Sequence, residues 1–311
     1  MRTTQYTISN FAIDVVHDDD EIFGGFDGEF ASLRSDTRIK AHASIVLNAG
    51  NDDYSLPLRA LKLAQWKGEE RYQLNRRFCT RHVDHGLVDI DFQQRVAHIH
   101  YKYPSHYISE RLRYAFKWLV IKTAEQLGHA YFHGACANYY DRNIILVGDS
   151  GTGKSSCLTR ILKAGGTALA DDSVLALDRT VVPFVMKSTA QGDCLKRHGD
   201  AFGVLEECHI GLRKRNFSSS RIALLVFPLI WNSSRSKLEE ISREAAFERL
   251  LDSYRREVGW NCYCEDFELV EHRMSVAISE AKYYLFYAGS NEVEVSQFLI
   301  RELQILCRDM L

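Results

Sequence analysis

The sequence predicts an α/β fold built around a phosphate-binding loop, and three adjacent stretches carry that prediction. Residues 143–147 read Asn-Ile-Ile-Leu-Val, a short apolar run rich in β-branched residues that is typical of a buried strand. Residues 148–155 read Gly-Asp-Ser-Gly-Thr-Gly-Lys-Ser and match the pattern G-x-x-x-x-G-K-[ST] at every fixed position. Apolar side chains then recur with helical spacing, and a second apolar run ends at Asp171-Asp172. Strand, loop, helix and strand in this order predict one crossover unit, which we expect to be right-handed.

Each residue type in the loop suits the binding of a nucleotide. Glycines let backbone N–H groups turn inward to form a concave anion site, and the start of the following helix adds positive potential. We expect Lys154 to reach the β- and γ-phosphates and the Ser155 hydroxyl to hold Mg²⁺. A chance match in a glycine-rich turn is the alternative, and the flanking strand and helix argue against it. The predicted nucleotide contacts are Gly148, Asp149, Ser150, Gly151, Thr152, Gly153, Lys154, Ser155 and Ser156.

The composition is ordinary for a globular chain. Of its 311 residues, 46% are hydrophobic and 26% are charged, and the formal net charge is −2. This balance favours neither nucleic acid nor an anionic membrane as a partner. No apolar run approaches the ~20 residues that cross a bilayer, and residues 1–6 lack the apolar core of a signal peptide. The eight cysteines contain no C-x-x-C pair and suggest buried thiols in a reducing compartment, so we expect a cytoplasmic protein.

The chain is expected to form two domains. Residues 1–108 predict a smaller, β-rich N-terminal domain with an acidic turn at residues 18–21, and residues 109–311 predict the domain that holds the loop. Strands are predicted at residues 6–8, 11–16, 45–48, 87–92 and 95–101, and the last two should form a hairpin across Gln93-Gln94. The second domain should begin with a core helix from Ser109, as N-cap, to Gly128. Beyond residue 172 we expect a hairpin at 173–185, strands at 222–227 and 283–287, and helices at 242–254 and 291–311.

Two further stretches could belong to a site. The predicted strand at residues 130–137 carries His133, which is followed by Gly134. A histidine satisfied within the core is the default interpretation, but Gly134 permits a close approach of backbone or ligand. If this strand pairs with the loop-bearing strand, His133 would point towards the phosphates. Residues 192–220 are polar and rich in basic residues, which predicts either a solvated loop or a lid that binds phosphate or peptide.

Asp171 and Asp172 end a strand beside the loop, where open α/β sheets usually bind their ligands. One carboxylate could hold Mg²⁺ while its neighbour accepts a proton from a hydroxyl nucleophile, and phosphoryl transfer requires little more than these roles and good positioning. The alternative is a single Mg²⁺-binding carboxylate with a solvated neighbour, which would suit a hydrolysing nucleotide switch.

Three motifs together resemble a known family. His133-Gly134, the loop at 148–155 and Ala170-Asp171-Asp172 are similar, in order and spacing, to the catalytic core of HPr kinase/phosphorylase. The resemblance covers residues 130–185 well and the rest of the C-terminal half loosely. It implies a phosphate-loop kinase domain of the phosphoenolpyruvate-carboxykinase-like type. The activity it implies is that of a bacterial protein serine kinase that uses ATP and Mg²⁺.

The resemblance also implies residue roles. Asp172 would be the general base on the acceptor hydroxyl, Lys154 would bind phosphate, and His133 would support the transferred charge. Ser155 and Asp171 are the predicted Mg²⁺ ligands. The family's downstream signature, a glutamate followed by a branched residue, arginine and glycine, has no match near residues 192–203, so no second Mg²⁺ ligand and no phosphorylase activity are assigned.

The overall layout resembles most closely the HPr-kinase-like enzymes of modified-peptide (RiPP) clusters, including lasso-peptide kinases that phosphorylate a peptide serine. The sequence therefore predicts a phosphotransferase acting on a hydroxyl of a peptide or protein, and the family is compatible with a homo-oligomer. Two alternatives stay open: a kinase for a small hydroxylated metabolite, and an ATP-binding regulatory or assembly module without transfer activity. Nucleic-acid binding through Arg213-Lys214-Arg215 is disfavoured, because the patch is short and the chain is slightly acidic.

Overall fold

The computed structural model describes residues 1–18, 20–35, 37–50, 56–57, 59–66, 68–185, 221–261 and 266–310. It is a mixed α/β structure with two large sheets, and the chain divides into two compact units, Met1–Leu127 and Gly128–Leu311. The boundary therefore follows the long helix that we had expected to open the second domain at residue 109. None of the helices in the described ranges is long and apolar enough to cross a membrane.

The first unit contains an eight-stranded sheet in the order β1-β2-β3-β8-β7-β6-β5-β4. Strand β3 runs parallel to β2 and β8, and the other neighbours are antiparallel. Its strands are β1 (Arg2–Ile8), β2 (Phe11–His17), β3 (Ala43–Ala49), β4 (Leu61–Trp66), β5 (Glu69–Leu74), β6 (Arg77–His82), β7 (Gly86–Asp91) and β8 (Val96–Tyr101). The predicted hairpin of β7 and β8 is confirmed, whereas β4, β5 and β6 were missed. All of β5 is only half-buried, so it lacks the alternation that reveals a strand.

Helix α1 (Asp20–Phe30) and a short 3₁₀ turn (Ala31–Leu33) follow β2. The sequence did not predict α1, and the acidic turn expected at residues 18–21 was partly wrong because the helix already begins at Asp20. Three glycines weaken the local helical preference of this segment. Tertiary packing compensates, since Phe26 and Phe30 lie 5.2 Å and 4.6 Å from Phe116 between ring centroids.

Helix α2 (His106–Gln126) is the predicted long core helix. Its N-cap is Ser105, whose side chain accepts a hydrogen bond from the Ile108 amide, and not Ser109 as expected. The helix packs on α1 and on strands β3, β7 and β8. This packing explains why α2 belongs to the first unit.

The second unit contains a nine-stranded sheet in the order β13-β12-β9-β10-β15-β17-β16, and β11 pairs with both β9 and β14. Its strands are β9 (Ala130–Tyr139), β10 (Arg142–Val147), β11 (Thr167–Asp171), β12 (Ser173–Leu177), β13 (Thr180–Val182), β14 (Phe184–Val185), β15 (Ile222–Ile230), β16 (Lys237–Glu240) and β17 (Lys282–Ala288). Its helices are α3 (Lys154–Lys163), α4 (Arg243–Asn261), α5 (Phe267–Ala277) and α6 (Glu292–Arg308). Most predicted strands and helices of this unit are confirmed, although α4 extends seven residues past its expected end at Tyr254. The hairpin predicted at residues 173–185 is only partly right, because Phe184 and Val185 form β14 and pair with β11. The lid predicted at residues 192–220 lies outside the described residues.

Strand β9 lies at the centre of this arrangement. It is antiparallel to β10 on one side and to β11 and β12 on the other. The crossover from β10 through α3 to β11 therefore passes over β9, and the two strands of the predicted unit are not neighbours. Gly134 permits this packing, because a Cβ atom there would lie 2.5 Å from the Leu146 carbonyl oxygen. The sequence suggested that Gly134 allows a close approach of either backbone or ligand, and the structure shows a close approach of backbone.

One hydrophobic core connects β10 and its neighbours with two helices. Ile144 and Leu146 of β10 are fully buried, as are Leu158 of α3 and Leu303 of α6. The loop at 148–155 thus joins a buried strand to a buried helix. The core therefore fixes the two ends of the loop, and the residues between them lie outside the core.

Candidate active site

Glycines give the loop between β10 and α3 backbone angles that other residues rarely adopt. Gly148, Gly151 and Gly153 have φ angles of 156°, 84° and 102°. Non-glycine residues rarely adopt such values. Gly153 is the N-cap of α3 and has no side chain to satisfy the first amides of the helix. Those amides lack intrahelical partners by geometry, so the loop and helix start together offer N–H groups to an anion.

The side chain of Lys154 folds back onto the loop that precedes it. Its Nζ donates hydrogen bonds to the carbonyl oxygens of Gly148, at 2.6 Å, and of Asp149, at 2.8 Å. Burial lowers the pKa of Lys154, and the nearby negative charges of Asp172, Asp149, Asp171 and Glu257 oppose that shift. The sequence placed the first three of these acids at the site. The structure adds Glu257, which comes from helix α4.

The turn itself is stabilised locally. Thr152 donates to the carbonyl oxygen of Asp149 from both its hydroxyl, at 2.9 Å, and its amide, at 3.3 Å. Ser155 and Ser156 follow in the first turn of α3, where both are half-buried. Ser155 lies directly beside Lys154, as the predicted Mg²⁺ ligand must if the ion is to bridge loop-bound phosphates.

Strand register brings His133 to the same edge of the sheet. Gly134 pairs with Val147, the last residue of β10 before the loop. On the other side of β9, His133 pairs with Ser173, and the Gly134 amide donates to the Asp172 carbonyl at 3.3 Å. The condition on which the functional interpretation of His133 depended, pairing of its strand with the loop-bearing strand, is therefore met.

The two adjacent aspartates have different environments. Asp171 ends β11 and is 2% exposed. Asp172 lies between β11 and β12 with a positive φ of 71°, and its side chain is 39% exposed. A carboxylate that must meet an incoming hydroxyl has to be accessible, and only Asp172 meets this requirement. The buried Asp171 is better suited to hold a fixed partner.

Helix α4 contributes a residue that the sequence did not predict. The Arg256 guanidinium lies 3.1 Å (Nε) and 3.0 Å (Nη2) from Oδ1 of Asp149 in the loop. We had expected this helix to end at Tyr254, which left Arg256 outside it. The apolar stripe in fact continues at Val258, four residues after Tyr254, and both side chains are buried. That spacing is a signal that could have extended the helix.

The residues present fit a Mg²⁺-nucleotide, but they do not build a metal site alone. Across the part of the chain that is described, no three His, Cys, Asp or Glu side chains gather so as to hold a metal ion. Mg²⁺ is commonly bound through one or two carboxylates together with substrate phosphates. Asp171 and Ser155 thus remain the predicted protein ligands, and phosphate oxygens would complete the coordination.

The arrangement combines a glycine-rich loop, a buried lysine inside it, a partly exposed carboxylate and a neighbouring imidazole. Comparison with known proteins adds no assignment to it: no family model matches the chain, and no curated protein matches it at a significant level.

Proposed function

We propose that the second unit is a kinase that transfers the γ-phosphoryl group of ATP to a hydroxyl, with a peptide or protein serine as the acceptor. The observation that supports this most directly is the grouping around Lys154. Its ammonium group lies inside the glycine loop and within electrostatic reach of Asp172, an exposed carboxylate. Phosphate binding and proton acceptance can thus occur side by side.

In the proposed reaction, backbone N–H groups of the loop and the start of α3 bind the phosphates. Lys154 exchanges its bonds with the Gly148 and Asp149 carbonyls for phosphate oxygens. Mg²⁺, held by Ser155 and Asp171, would neutralise charge on the β- and γ-phosphates.

Asp172 then acts as the general base. The acceptor O–H gives its proton to the Asp172 carboxylate while its oxygen bonds to the γ-phosphorus. The bond from that phosphorus to the β–γ bridging oxygen breaks, and ADP leaves with the electron pair. His133, whose Nδ1 lies 3.6 Å from Asp172 Oδ1, orients this carboxylate and supports the charge that develops beside it.

The compartment we propose is the cytoplasm, which supplies ATP and keeps thiols reduced. Cys79, Cys136, Cys157 and Cys307 are buried as free thiols. Cys194, Cys208, Cys262 and Cys264 lie outside the described residues.

The test is phosphoryl transfer from γ-labelled ATP with Mg²⁺, using the full chain and the candidate peptides encoded beside its gene. Wild type should label a peptide serine, and Asp172→Asn should abolish the label while still binding ATP. Asp178→Asn is a matched control, because Asp178 is another aspartate with a positive φ, 51°, in the turn between β12 and β13. It should retain full transfer.

Two results would redirect or overturn the proposal. ATP binding without transfer to any peptide, but with transfer to a small hydroxylated metabolite, would change the acceptor class. Binding that survives Asp172→Asn with no product from any acceptor would indicate a regulatory nucleotide-binding module. A wild-type chain that binds no ATP at all would rule out both alternatives together with the kinase.

A further inference from the structure

Arg256 reaches the phosphate loop from a distant part of the chain. Its guanidinium binds the Asp149 carboxylate through Nε and Nη2, at 3.1 Å and 3.0 Å. The segment that carries it is fixed, because Tyr254 and Val258 on either side of it are buried and the Tyr254 ring lies 6.1 Å from that of Tyr131 in β9. The backbone of Arg256 is thus held by the core, whereas its side chain is 59% exposed and able to move.

Asp149 holds two cationic groups at once. Its carbonyl oxygen accepts from Lys154 Nζ at 2.8 Å, while its carboxylate binds Arg256. Because both groups contact one residue, the ammonium and the guanidinium lie within about 11 Å of each other. A phosphate chain that reaches Lys154 therefore also comes within range of the flexible Arg256 side chain.

We propose that Arg256 is a second phosphate-binding residue of this site and that it distinguishes nucleoside triphosphates from diphosphates. In the structure its guanidinium is paired with the Asp149 carboxylate. When a triphosphate occupies the loop, the guanidinium leaves Asp149 and binds the γ-phosphoryl oxygens. The proposal rests on the function proposed above and adds to it a residue outside the loop motif and the adjacent aspartates.

The energetics favour this exchange. An ion pair between side chains that are each more than half exposed is weak, because water screens it, so it is readily broken. A guanidinium forms paired, charge-assisted hydrogen bonds with phosphate, and a triphosphate offers several negative charges in place of one carboxylate. An arginine supplied from outside the loop also counters the charge spread over the transferred phosphoryl group in this class of reaction.

The competing explanation is that Arg256 only braces the loop through Asp149. The two explanations predict different nucleotide affinities when the ion pair is removed by substituting Arg256 and when it is removed by substituting Asp149. If the pair is a brace, Arg256→Gln and Asp149→Asn remove the same contact and should weaken nucleotide binding alike. If Arg256 binds phosphate, Asp149→Asn leaves the guanidinium available. Because Asp149 belongs to the loop's anion site through its backbone N–H, which asparagine retains, binding of the triphosphate should be kept or strengthened.

The experiment is calorimetric titration of the full chain with Mg²⁺ and either ADP or a non-hydrolysable ATP analogue. Arg255→Gln is the matched control, because Arg255 is turned towards Glu271, at 3.6 Å, and lies over the Phe267 ring of α5. We expect Arg256→Gln to weaken the triphosphate analogue about tenfold while ADP changes by less than about twofold. Asp149→Asn should not weaken the analogue, and Arg255→Gln should match wild type.

Equal weakening of both nucleotides by Arg256→Gln and by Asp149→Asn would overturn the proposal in favour of a brace. Unchanged binding in Arg256→Gln would overturn it as well, while leaving the kinase proposal intact if wild type still transfers phosphate. A wild-type chain that binds neither nucleotide would show instead that the proposed function itself is wrong, and this proposal would fall with it.

Discussion

Nδ1 of His133, in β9, lies 3.6 Å from Oδ1 of Asp172, the residue between β11 and β12. The register of β9 and β12 pairs His133 with Ser173, which brings Asp172, the residue before Ser173, to the same end of the sheet as His133. The side chain of His133 is 11% exposed and that of Asp172 is 39% exposed. The imidazole thus lies on the protein side of the carboxylate, and the other side of the carboxylate is exposed to solvent.

Asp172 occupies a backbone conformation that a non-glycine residue adopts at some cost. Its φ is 71°, and the left-handed region is unfavourable by roughly 1–2 kcal/mol for residues with a Cβ atom. We predict that Asp172→Gly raises the free energy of unfolding by about 0.5–1 kcal/mol and abolishes phosphoryl transfer. Urea denaturation and the transfer assay, run on the same preparation, measure both effects.

Asp178→Gly is the control for this prediction, since Asp178 has a φ of 51° in the turn between β12 and β13. It should be stabilised to a similar extent without loss of transfer. A fall in stability for Asp172→Gly alone would mean that its contact with His133 outweighs the backbone strain.

Gly134 is required by packing, because β9 and β10 approach closely at this point. An added Cβ atom would lie 2.5 Å from the Leu146 carbonyl oxygen, a backbone atom that cannot move aside alone. We predict that Gly134→Ala lowers the free energy of unfolding by about 2–3 kcal/mol. Chemical denaturation followed by circular dichroism would measure the loss.

Gly24→Ala should change the free energy of unfolding in the opposite direction. Gly24 lies inside helix α1, and a Cβ atom there would meet nothing within 4 Å. Alanine should stabilise that helix by roughly 0.5–1 kcal/mol. If Gly134→Ala were as well tolerated as Gly24→Ala, the close pairing of β9 with β10 would be incorrect.

Lys154→Met should remove the stabilisation of the folded chain by nucleotide. Wild type should be stabilised by Mg²⁺ and ATP, by about 2.7 kcal/mol when free nucleotide is 100 times Kd, and the variant should lose that gain. Thermal denaturation with and without nucleotide is the measurement. Lys163→Met, at the exposed end of α3, should keep the full nucleotide effect.

The same lysine also predicts a dependence on pH. Burial lowers its pKa below the ordinary 10.5, so between the two values the unfolded chain binds its proton more fully than the folded chain does. Titration of Lys154 therefore adds stability as pH rises through that window, so the free energy of unfolding of wild type relative to Lys154→Met should increase there. A difference between the two proteins that stays constant as pH approaches 10.5 would contradict the burial of the ammonium group.

Sequence patterns predicted the parts of the site that depend on local geometry. The strand before the loop and the helix after it appear where their patterns placed them. The hairpin predicted at residues 173–185 forms only as far as Val182, and Phe184 and Val185 pair with β11 instead. Local patterns failed where packing overrides them, as in α1, whose glycines disfavour a helix that Phe26 and Phe30 nevertheless stabilise by packing edge-on and tilted against the Phe116 ring. They also failed at the domain boundary, because nothing within helix α2 indicates which sheet its apolar face will cover.

By itself, the sequence determined where the glycine loop lies, since the positive φ angles at 148, 151 and 153 are ones that glycine adopts readily and other residues rarely do. Only the tertiary structure decided what surrounds that loop. The insertion of β9 between β10 and β11 places His133 beside Asp172, and the packing of α4 brings Arg256 to Asp149 across 107 positions. Contacts between residues so far apart depend on how whole strands and helices pack, and no short stretch of sequence contains that information.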